Sequence, residues 1–548
     1  MRRFWVPLCL GAVAFAMLVG PETLAPWRDG WLMRGSDRPT YRLGWRFFRD
    51  TDWSVPPASN PRYGIELGSS VFYSDIIPLL ALPLKLVSAV LPIGQYFGAW
   101  LLMCCLLQAV FAWVLLSRAG VDRQARIMGS ALLLFAPFFF YRLYEHFALA
   151  AQWMLLAALW LATTPGAAPR RPILWLVLVG ATAMVHASLL VMVGAVWAAD
   201  WLRRLVEARR ATLLAEAMAV LLAAIAGLWA AGFFAVLDGR PYGSPYGWLA
   251  MDVLGPVLGN RFSLLIPDFS VPPQHEGASV YLGSGGLLVV AAALVAMARA
   301  PGIMLPLKRF WPLLAVMTVL LALAVTHRVT IAGHGPFVLP VPSPALALLD
   351  PLRSSNRFAW PVLYSVLVLA VVMVARQFPL AVSSRVLLVA AVLQVGDSIL
   401  GWVPYRLEIA AAPSGWVSPL NDPFWAEASG RYARLRQLLP TGQPDFQSDN
   451  YPEGWAYLAD YAYRNGWDTD VAYLARVSRE AWVGLRDEAR ARVAQRRWEA
   501  GTLYVVQLGM QDAVRLAADP ERDLFAEIDG IAVFAPGWHV TPAAAPAP

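Results

Sequence analysis

Apolar runs of bilayer-spanning length recur along this chain. The first of them, Phe4–Gly20, is followed at once by a polar loop, 21–75, dense in charge, aromatics, Gly and Pro. A helix needs roughly 20 apolar residues to cross a hydrocarbon core about 30 Å thick, and a soluble fold has no use for so many such runs. Composition agrees: 58% of the 548 residues are hydrophobic and 15% charged, against about 45–50% and 25% in soluble domains. The chain reads as a multi-pass membrane protein. The early polar loop narrows the class further, because catalytic carboxylates need water and substrate around them rather than lipid.

The net charge of +7 is divided unevenly. From Tyr405 onward there are 14 Arg, no Lys and 19 acidic residues, a net of −5, which leaves +12 for the rest. A basic membrane part fits loops lying on an anionic leaflet. No basic stripe with interleaved aromatics lies outside the apolar runs, so nucleic acid is not an expected partner. Cys9, Cys104 and Cys105 fall inside apolar runs and form neither a disulfide framework nor a metal pattern. Pro21-Glu22-Thr23 is a poor cleavage site, so the first run is read as a retained anchor.

Arg2 and Arg3 place the N-terminus in the cytoplasm. Spans are expected near 4–20, 98–116, 126–141, 147–163, 173–186, 188–202, 213–235, 283–299, 310–326, 359–376 and 386–403, about eleven crossings. The run 173–202 is long for one upright span: either His186-Ala-Ser188 turns a pair of short helices, or the run is one long tilted helix, which would change the sides of the later loops. The stretch Ile76–Ile93 is apolar but holds Pro78, Pro83 and Lys85. If it stays in the interface or re-enters, the clusters around Arg118–Arg126, Arg170-Arg171, Arg203–Arg210 and Lys308-Arg309 all face the cytoplasm. The loops 21–75, 236–282 and 327–358 and the tail then lie outside. This gives a membrane domain, 1–403, and a soluble extracytoplasmic domain, 404–548. In the tail, Asp422–Leu439 and Asp470–Trp498 carry helical periodicity, Thr502–Gln507 and Ile531–Phe534 read as strands, and Gln511–Leu516 as a short helix between them.

Several polar groups stand at expected membrane boundaries. Asp37 precedes Tyr41–Arg49, an amphipathic surface helix whose aromatic face suits lipid headgroups. Asp37 is either a base for an attacking hydroxyl or that helix's cap. Asp75 ends the same loop as a second catalytic acid, a metal ligand or a cap. Asp50 and Asp52 form a short acidic pair, a weak metal candidate. Arg142, Glu145, His146 and Gln152 join two spans, where Arg binds phosphate well or merely snorkels. Arg353 and Arg357, spaced i and i+4 before the 359–376 span, would share one helix face and suit an anionic lipid headgroup. His275, Glu276 and Tyr281 close the 236–282 loop, either for sugar binding or for loop packing. Asp397 is an acid inside a span, a functional candidate unless it only reaches water.

The frame Asp37…Leu43-Gly-Trp-x-Phe-Phe-Arg49, Ser74-Asp75-x-Ile-Pro78, Arg142…His146-x-Ala-Leu-x-x-Gln152-Trp153, Glu276-Gly…Tyr281-Leu-Gly283 and Arg353-Ser-Ser-x-Arg357-Phe, with Trp455-Ala-Tyr-Leu-Ala…Ala475-Arg476 in the tail, resembles a poorly characterised bacterial family regarded as glycosyltransferase-like. More broadly the chain resembles the GT-C class of membrane glycosyltransferases. The resemblance implies an all-α polytopic membrane bundle with a C-terminal α/β extracytoplasmic domain in the bacterial cytoplasmic membrane. It also implies a polyprenyl-phosphate-linked sugar as donor, with a glycan, lipid or protein as acceptor, and transfer with inversion. Under it Asp37 is the base and Asp75 the second acid. Arg353, Arg357, Arg142 and His146 hold the lipid phosphate, and Glu145, Gln152, His275, Glu276 and Tyr281 line the substrate site. No cofactor is demanded, and a divalent metal stays open. The alternative is a membrane transporter or lipid flippase of the cell envelope, which would show internal repeats and broken helices at the midplane.

Overall fold

The computed structural model describes residues 4–35, 37–165, 170–208, 212–237, 245–267, 279–299, 309–352, 354–440 and 454–540. Arg353, His275 and Glu276 lie outside these residues. The chain divides into two compact units. One holds Met1–Arg28, Tyr96–Leu228 and Gly243–Ala412, and the other Asp29–Gln95, Trp229–Tyr242 and Pro413–Pro548.

The first unit is almost wholly helical. Among the described residues four helices are long and apolar enough to cross a membrane: Phe97–Arg118, Thr212–Ala230, Ser355–Gln377 (its first turn 3-10) and Leu380–Asp397. Arg123–Leu134 and Pro137–Leu143 make a fifth if the pair, bent by 48°, is one span. The bend falls at Pro137, whose ring cannot continue a helix. Trp5–Leu18, Arg171–Ala183, Ser284–Arg299 and Trp311–Val325 are apolar but shorter. These lengths support four or five spans where sequence periodicity led us to expect about eleven. The long run 173–202 does break where expected: one helix ends at Ala183, the next starts at Ala187, and His186 Nδ1 accepts the Ser188 N–H at 3.0 Å.

Buried polar struts tie these helices together, which matters where no water can satisfy a stray donor. Gln108 donates to the Tyr364 hydroxyl at 2.6 Å, that hydroxyl donates to Gln152 Oε1 at 2.6 Å, and Gln152 Nε2 donates to the Phe138 carbonyl at 2.8 Å. Part of the basic run after Ala199 is neutralised internally. Asp200 accepts from Arg203, Arg204 and Trp175, and Glu216 takes a bidentate pair with Arg204. A two-stranded antiparallel ribbon, β1 (Arg328–Ile331) and β2 (His334–Val338), also belongs to this unit.

The second unit joins the first polar loop to the tail. Its five-stranded sheet contains β3 (Arg434–Gln437), β4 (Asp468–Thr469), β5 (Thr502–Val505), β6 (Leu524–Ile528) and β7 (Ile531–Ala535), in the order β4-β3-β5-β7-β6. β3 runs parallel to β4 and β5, and the β6–β7 hairpin is antiparallel. The stretch Asp422–Leu439 is therefore not one helix. The helix stops at Ser429 and the chain becomes β3, because Leu435 and Gln437 are needed inside the sheet. The Gly454–Arg464 helix and β6 escaped periodicity altogether.

One core holds this unit: Leu43, Phe47, Tyr63 and Leu67 of the loop pack with Trp425, Leu435, Trp455, Leu458, Trp467 and Leu503 of the tail. Backbone pairing extends the sheet into the loop: Gly64 N–H donates to the Thr469 carbonyl at 2.8 Å, and Thr469 N–H to the Arg62 carbonyl at 3.0 Å. The Pro78–Ser88 helix, also in this unit, has 11 residues, roughly 16 Å at 1.5 Å each, about half a hydrocarbon core. Its Leu86 and Val87 are exposed, as are Val90 and Leu91 just beyond it.

Candidate functional site

The helix Arg38–Asp50 starts at Asp37 and ends at Asp50, and it is not a surface helix. Every residue from Arg38 to Trp45 is buried, as are Phe47 and Phe48. Phe47 stacks on Tyr63 with centroids 5.1 Å apart, so the aromatic face belongs to the protein core and not to lipid headgroups. The buried Arg42 makes this depth tolerable. It donates to Asp29 Oδ2 at 2.7 Å and to Asp460, while Arg46 reaches the same Asp29 oxygen at 2.6 Å. Buried charges survive only when paired in this way.

Asp37 stands half-buried at the start of this helix; its carboxylate makes no capping hydrogen bond, and its carbonyl accepts the Thr40 N–H at 3.1 Å. Asp75 does not cap the next helix either, since the residue before Pro78 is Ile77. Asp75 and Ile77 both adopt left-handed backbone, with φ of 55° and 58°. That region is unfavourable for a β-branched residue, and each such strained position costs on the order of 1–3 kcal/mol. The surroundings fix the turn. Ser74 Oγ donates to the Ser70 carbonyl at 3.1 Å, and Ala475 N–H to the Tyr73 carbonyl at 2.8 Å. Gly44 lets the turn cross the helix, because a Cβ there would meet Ser74 Cβ at 2.9 Å and Ile76 Cγ2 at 3.0 Å. Gly44 lies seven residues beyond Asp37, roughly 10 Å along the helix axis. One buried helix thus carries Asp37 at its end and the Asp75 turn two turns further on.

Asp50 is engaged elsewhere. Arg49 donates to both its oxygens, at 2.7 and 2.9 Å, and Tyr463 at 2.6 Å. Burial pushes its carboxyl up, but the hydrogen bonds from Arg49 and Tyr463 outweigh it and hold the group below the ordinary carboxylate range. Asp52 is exposed. Among the described residues no group of three or more His, Cys, Asp or Glu is arranged to hold a metal.

In the other unit Arg142 is fully buried. Its Nη2 donates to Ser279 Oγ at 2.9 Å, and its guanidinium lies over the rings of Tyr141, at 4.9 Å, and Trp360, at 5.6 Å. Trp360 Nε1 in turn donates to the Ser279 carbonyl at 2.6 Å. Arg357 sits three residues before Trp360, on the 3-10 turn Ser355–Ala359 rather than on an α-helix. The turn is pinned by the Asn356 N–H donating to the Leu249 carbonyl at 3.1 Å. The structure therefore brings the Arg142 segment and the Arg357 turn to one aromatic cluster. Ser279 and Trp360 escaped sequence reasoning; Trp360 lay within the stretch singled out, but nothing in its spacing marked it as a partner of Arg142.

His146 is half-buried with φ 57°, opening the 3-10 turn Phe147–Ala150, and Glu145 beside it is also half-buried. Gln152 is the strut described above. Tyr281 is fully buried and donates to Asp397 at 3.2 Å. Asp397 is buried, accepting from Ser263 Oγ at 2.8 and 2.9 Å and from the Leu264 and Leu265 N–H groups at 2.8 Å. This acid in a span is a fully engaged acceptor that pins the 261–266 loop to a helix end.

No curated protein matches the chain. Among solved structures it is similar to the archaeal oligosaccharyltransferase AglB from Archaeoglobus fulgidus, in complex with an inhibitory peptide and a dolichol-phosphate. Identity is 11%, covering 99% of this chain and 75% of that one, with a TM-score of 0.34. The family described as Domain of unknown function (DUF6311) matches residues 8–399, and the DUF6311 C-terminal domain matches residues 424–536. The chain belongs to the DUF6311 family.

Proposed function

We propose that this protein is a GT-C-like membrane glycosyltransferase that moves a sugar from a polyprenyl-phosphate donor to a cell-envelope acceptor outside the cytoplasmic membrane. The observation that carries this reading is the first loop. It holds Asp37 at the start of one buried helix and Asp75 in a turn packed across the same helix at Gly44, and neither acid is spent on capping a helix. The strained turn at Asp75 and Ile77 adds weight, since strain that is held in place clusters at working sites.

In the reaction, the acceptor hydroxyl attacks the anomeric carbon while Asp37 takes its proton. The new C–O bond forms as the bond to the lipid phosphate breaks on the opposite side, which inverts the centre. Asp75 is the second acid of the site. Arg357 and Arg142, with Arg353 and His146, stabilise the charge that grows on the departing phosphate. Arg142 supports this role by its burial, since a guanidinium in a low-dielectric cage acts more strongly on an anion than one in water. Glu145, Gln152, His275, Glu276 and Tyr281 remain candidates for the walls of the substrate site.

The bent pair Arg123–Leu134 and Pro137–Leu143 is the one observation favouring transport, because broken helices are common in carriers. Mass spectrometry of lipids that co-purify with the protein separates the readings. A polyprenyl-phosphate species lost in Arg357→Ala, together with sugar transfer to an acceptor, supports the enzyme. Passage of the intact lipid across vesicles without chemical change supports the carrier.

A further inference from the structure

From Val329 to Leu349 the chain holds no Asp, Glu, Lys or Arg, although charge bias puts this stretch in an outer loop. The structure leaves much of it uncovered. All five residues of β2, His334–Val338, are exposed, so both faces of the strand are open. Phe337, Val338 and Leu339 are 58%, 64% and 53% exposed. The short helix Ser343–Leu349 has no buried residue, and its Leu348 is 81% exposed. Single surface hydrophobics are ordinary, but a run of neighbours marks a contact surface.

This surface is fixed in place. Val253 N–H donates to the Thr330 carbonyl at 3.0 Å, and Asp252 accepts the Ala332 and Gly333 N–H groups at 3.0 and 2.9 Å. Leu339 N–H donates to the His327 carbonyl at 2.8 Å. The ribbon is thereby held along β1 and at its turn, and β2 is the outer strand.

Continuity indicates what covers β2. The ribbon begins at Arg328, just after the apolar helix Trp311–Val325, whose Trp311, Leu314 and Val319 are also exposed. That helix has 15 residues, roughly 22 Å at 1.5 Å each, short of a hydrocarbon core about 30 Å thick. A ribbon joined to its end lies where the missing thickness falls. The backbone points the same way. Pro336, Pro340, Pro342 and Pro344 have no N–H, and an unsatisfied donor is the group that lipid tolerates least. A partner strand would need those donors, and a protein interface would carry a polar rim. Charge returns only at the two ends, Arg328 and Asp350, where Arg328 lies over the Trp248 ring at 6.0 Å. Arg and Trp are the side chains that settle at headgroup level.

We propose that β2 and the Ser343–Leu349 helix rest on the acyl chains of the bilayer just beneath its headgroups, making this stretch a membrane-contacting element and not an aqueous loop. The free edge of β2 keeps it at that boundary, where water still reaches its carbonyls, rather than at the centre of the core. The proposal rests on the membrane character of the chain and is independent of the transfer chemistry proposed above.

The test uses the full-length protein in vesicles of equal parts phosphatidylcholine and phosphatidylglycerol. Cys104 and Cys105 are buried and Cys9 is exposed, so Cys9→Ala gives a background for labelling single sites with an environment-sensitive dye. Phe337→Cys, Val338→Cys and Leu348→Cys are compared with Leu314→Cys on the apolar helix and Asp487→Cys on an exposed tail helix. The expected result is blue-shifted emission at the three sites, loss of signal to lipids carrying a nitroxide high on the acyl chain, as at Leu314, and little loss to aqueous iodide. Emission like that of Asp487, quenched by iodide and indifferent to the nitroxide lipid, overturns the proposal. Blue-shifted emission that neither quencher reaches also overturns it, in favour of cover by a second copy or another protein.

Discussion

Arg42 and Asp460, 418 residues apart in sequence, form a buried ion pair between the first polar loop and a tail helix. Asp460 also pairs with Arg464 at 2.6 Å, and Arg42 with Asp29. The acid-bearing helix of the loop is therefore held by the tail, and its geometry depends on residues far along the chain.

Removing one partner of that pair leaves a buried charge uncompensated. Asp460→Ala is expected to destabilise the unit by about 3–5 kcal/mol. Hydrogen exchange of the Arg38–Asp50 amides is the readout. Loss of protection there, in the tail variant, is the expected result.

Asp470 titrates within reach of neutral pH. Burial pushes its carboxyl up to about 7, although Arg436 and the Gln437 N–H act the other way. The folded state thus holds this proton to higher pH than the unfolded chain, where Asp titrates near 3.9. Stability should fall as pH rises from about 4 to about 7, by on the order of 2–4 kcal/mol, and level off above. Asp470→Asn keeps an acceptor for the Gln437 N–H and should flatten that slope in thermal unfolding measured across the range.

Gly44 is where the Asp75 turn crosses the helix. Gly44→Val must push Ser74 and Ile76 aside, at a cost of about 1–3 kcal/mol. Sugar transfer by this variant should drop as far as in Asp75→Asn, while detergent-purified protein keeps its circular dichroism.

In the membrane unit, Tyr364→Phe removes the hydroxyl that bridges Gln108 and Gln152. Stranding two buried amide groups should cost about 1–3 kcal/mol, seen as a lower thermal midpoint in detergent.

The helical membrane part was legible because apolar runs need no partner to be recognised, and the break at His186 was one of the two readings that length left open. Crossing number was harder. Several helices are shorter than a bilayer, and Ile76–Ile93, ambiguous in sequence, forms an 11-residue helix in the second unit. The Arg38–Asp50 helix was legible as a helix, but its burial was not: its aromatic face looked suited to lipid until the tail's Trp425, Trp455 and Trp467 supplied the covering surface. In the tail, β3 and β6 are short and carry Arg, Gln and Glu, so a period-2 pattern never emerges. Of the candidate groups, the Asp75 turn gave no sequence sign of its left-handed backbone, since Ile77 is the last residue type expected there. Gln152 and Tyr281 were polar groups at expected boundaries, and the structure shows both inside hydrogen-bonded struts.

The most direct test of the account is sugar transfer by Asp37→Asn, assayed with a polyprenyl-phosphate-linked donor in protein shown to fold and insert. Loss of the base should lower the rate about 100-fold or more, with donor binding retained. Transfer at near the unaltered rate would contradict the account.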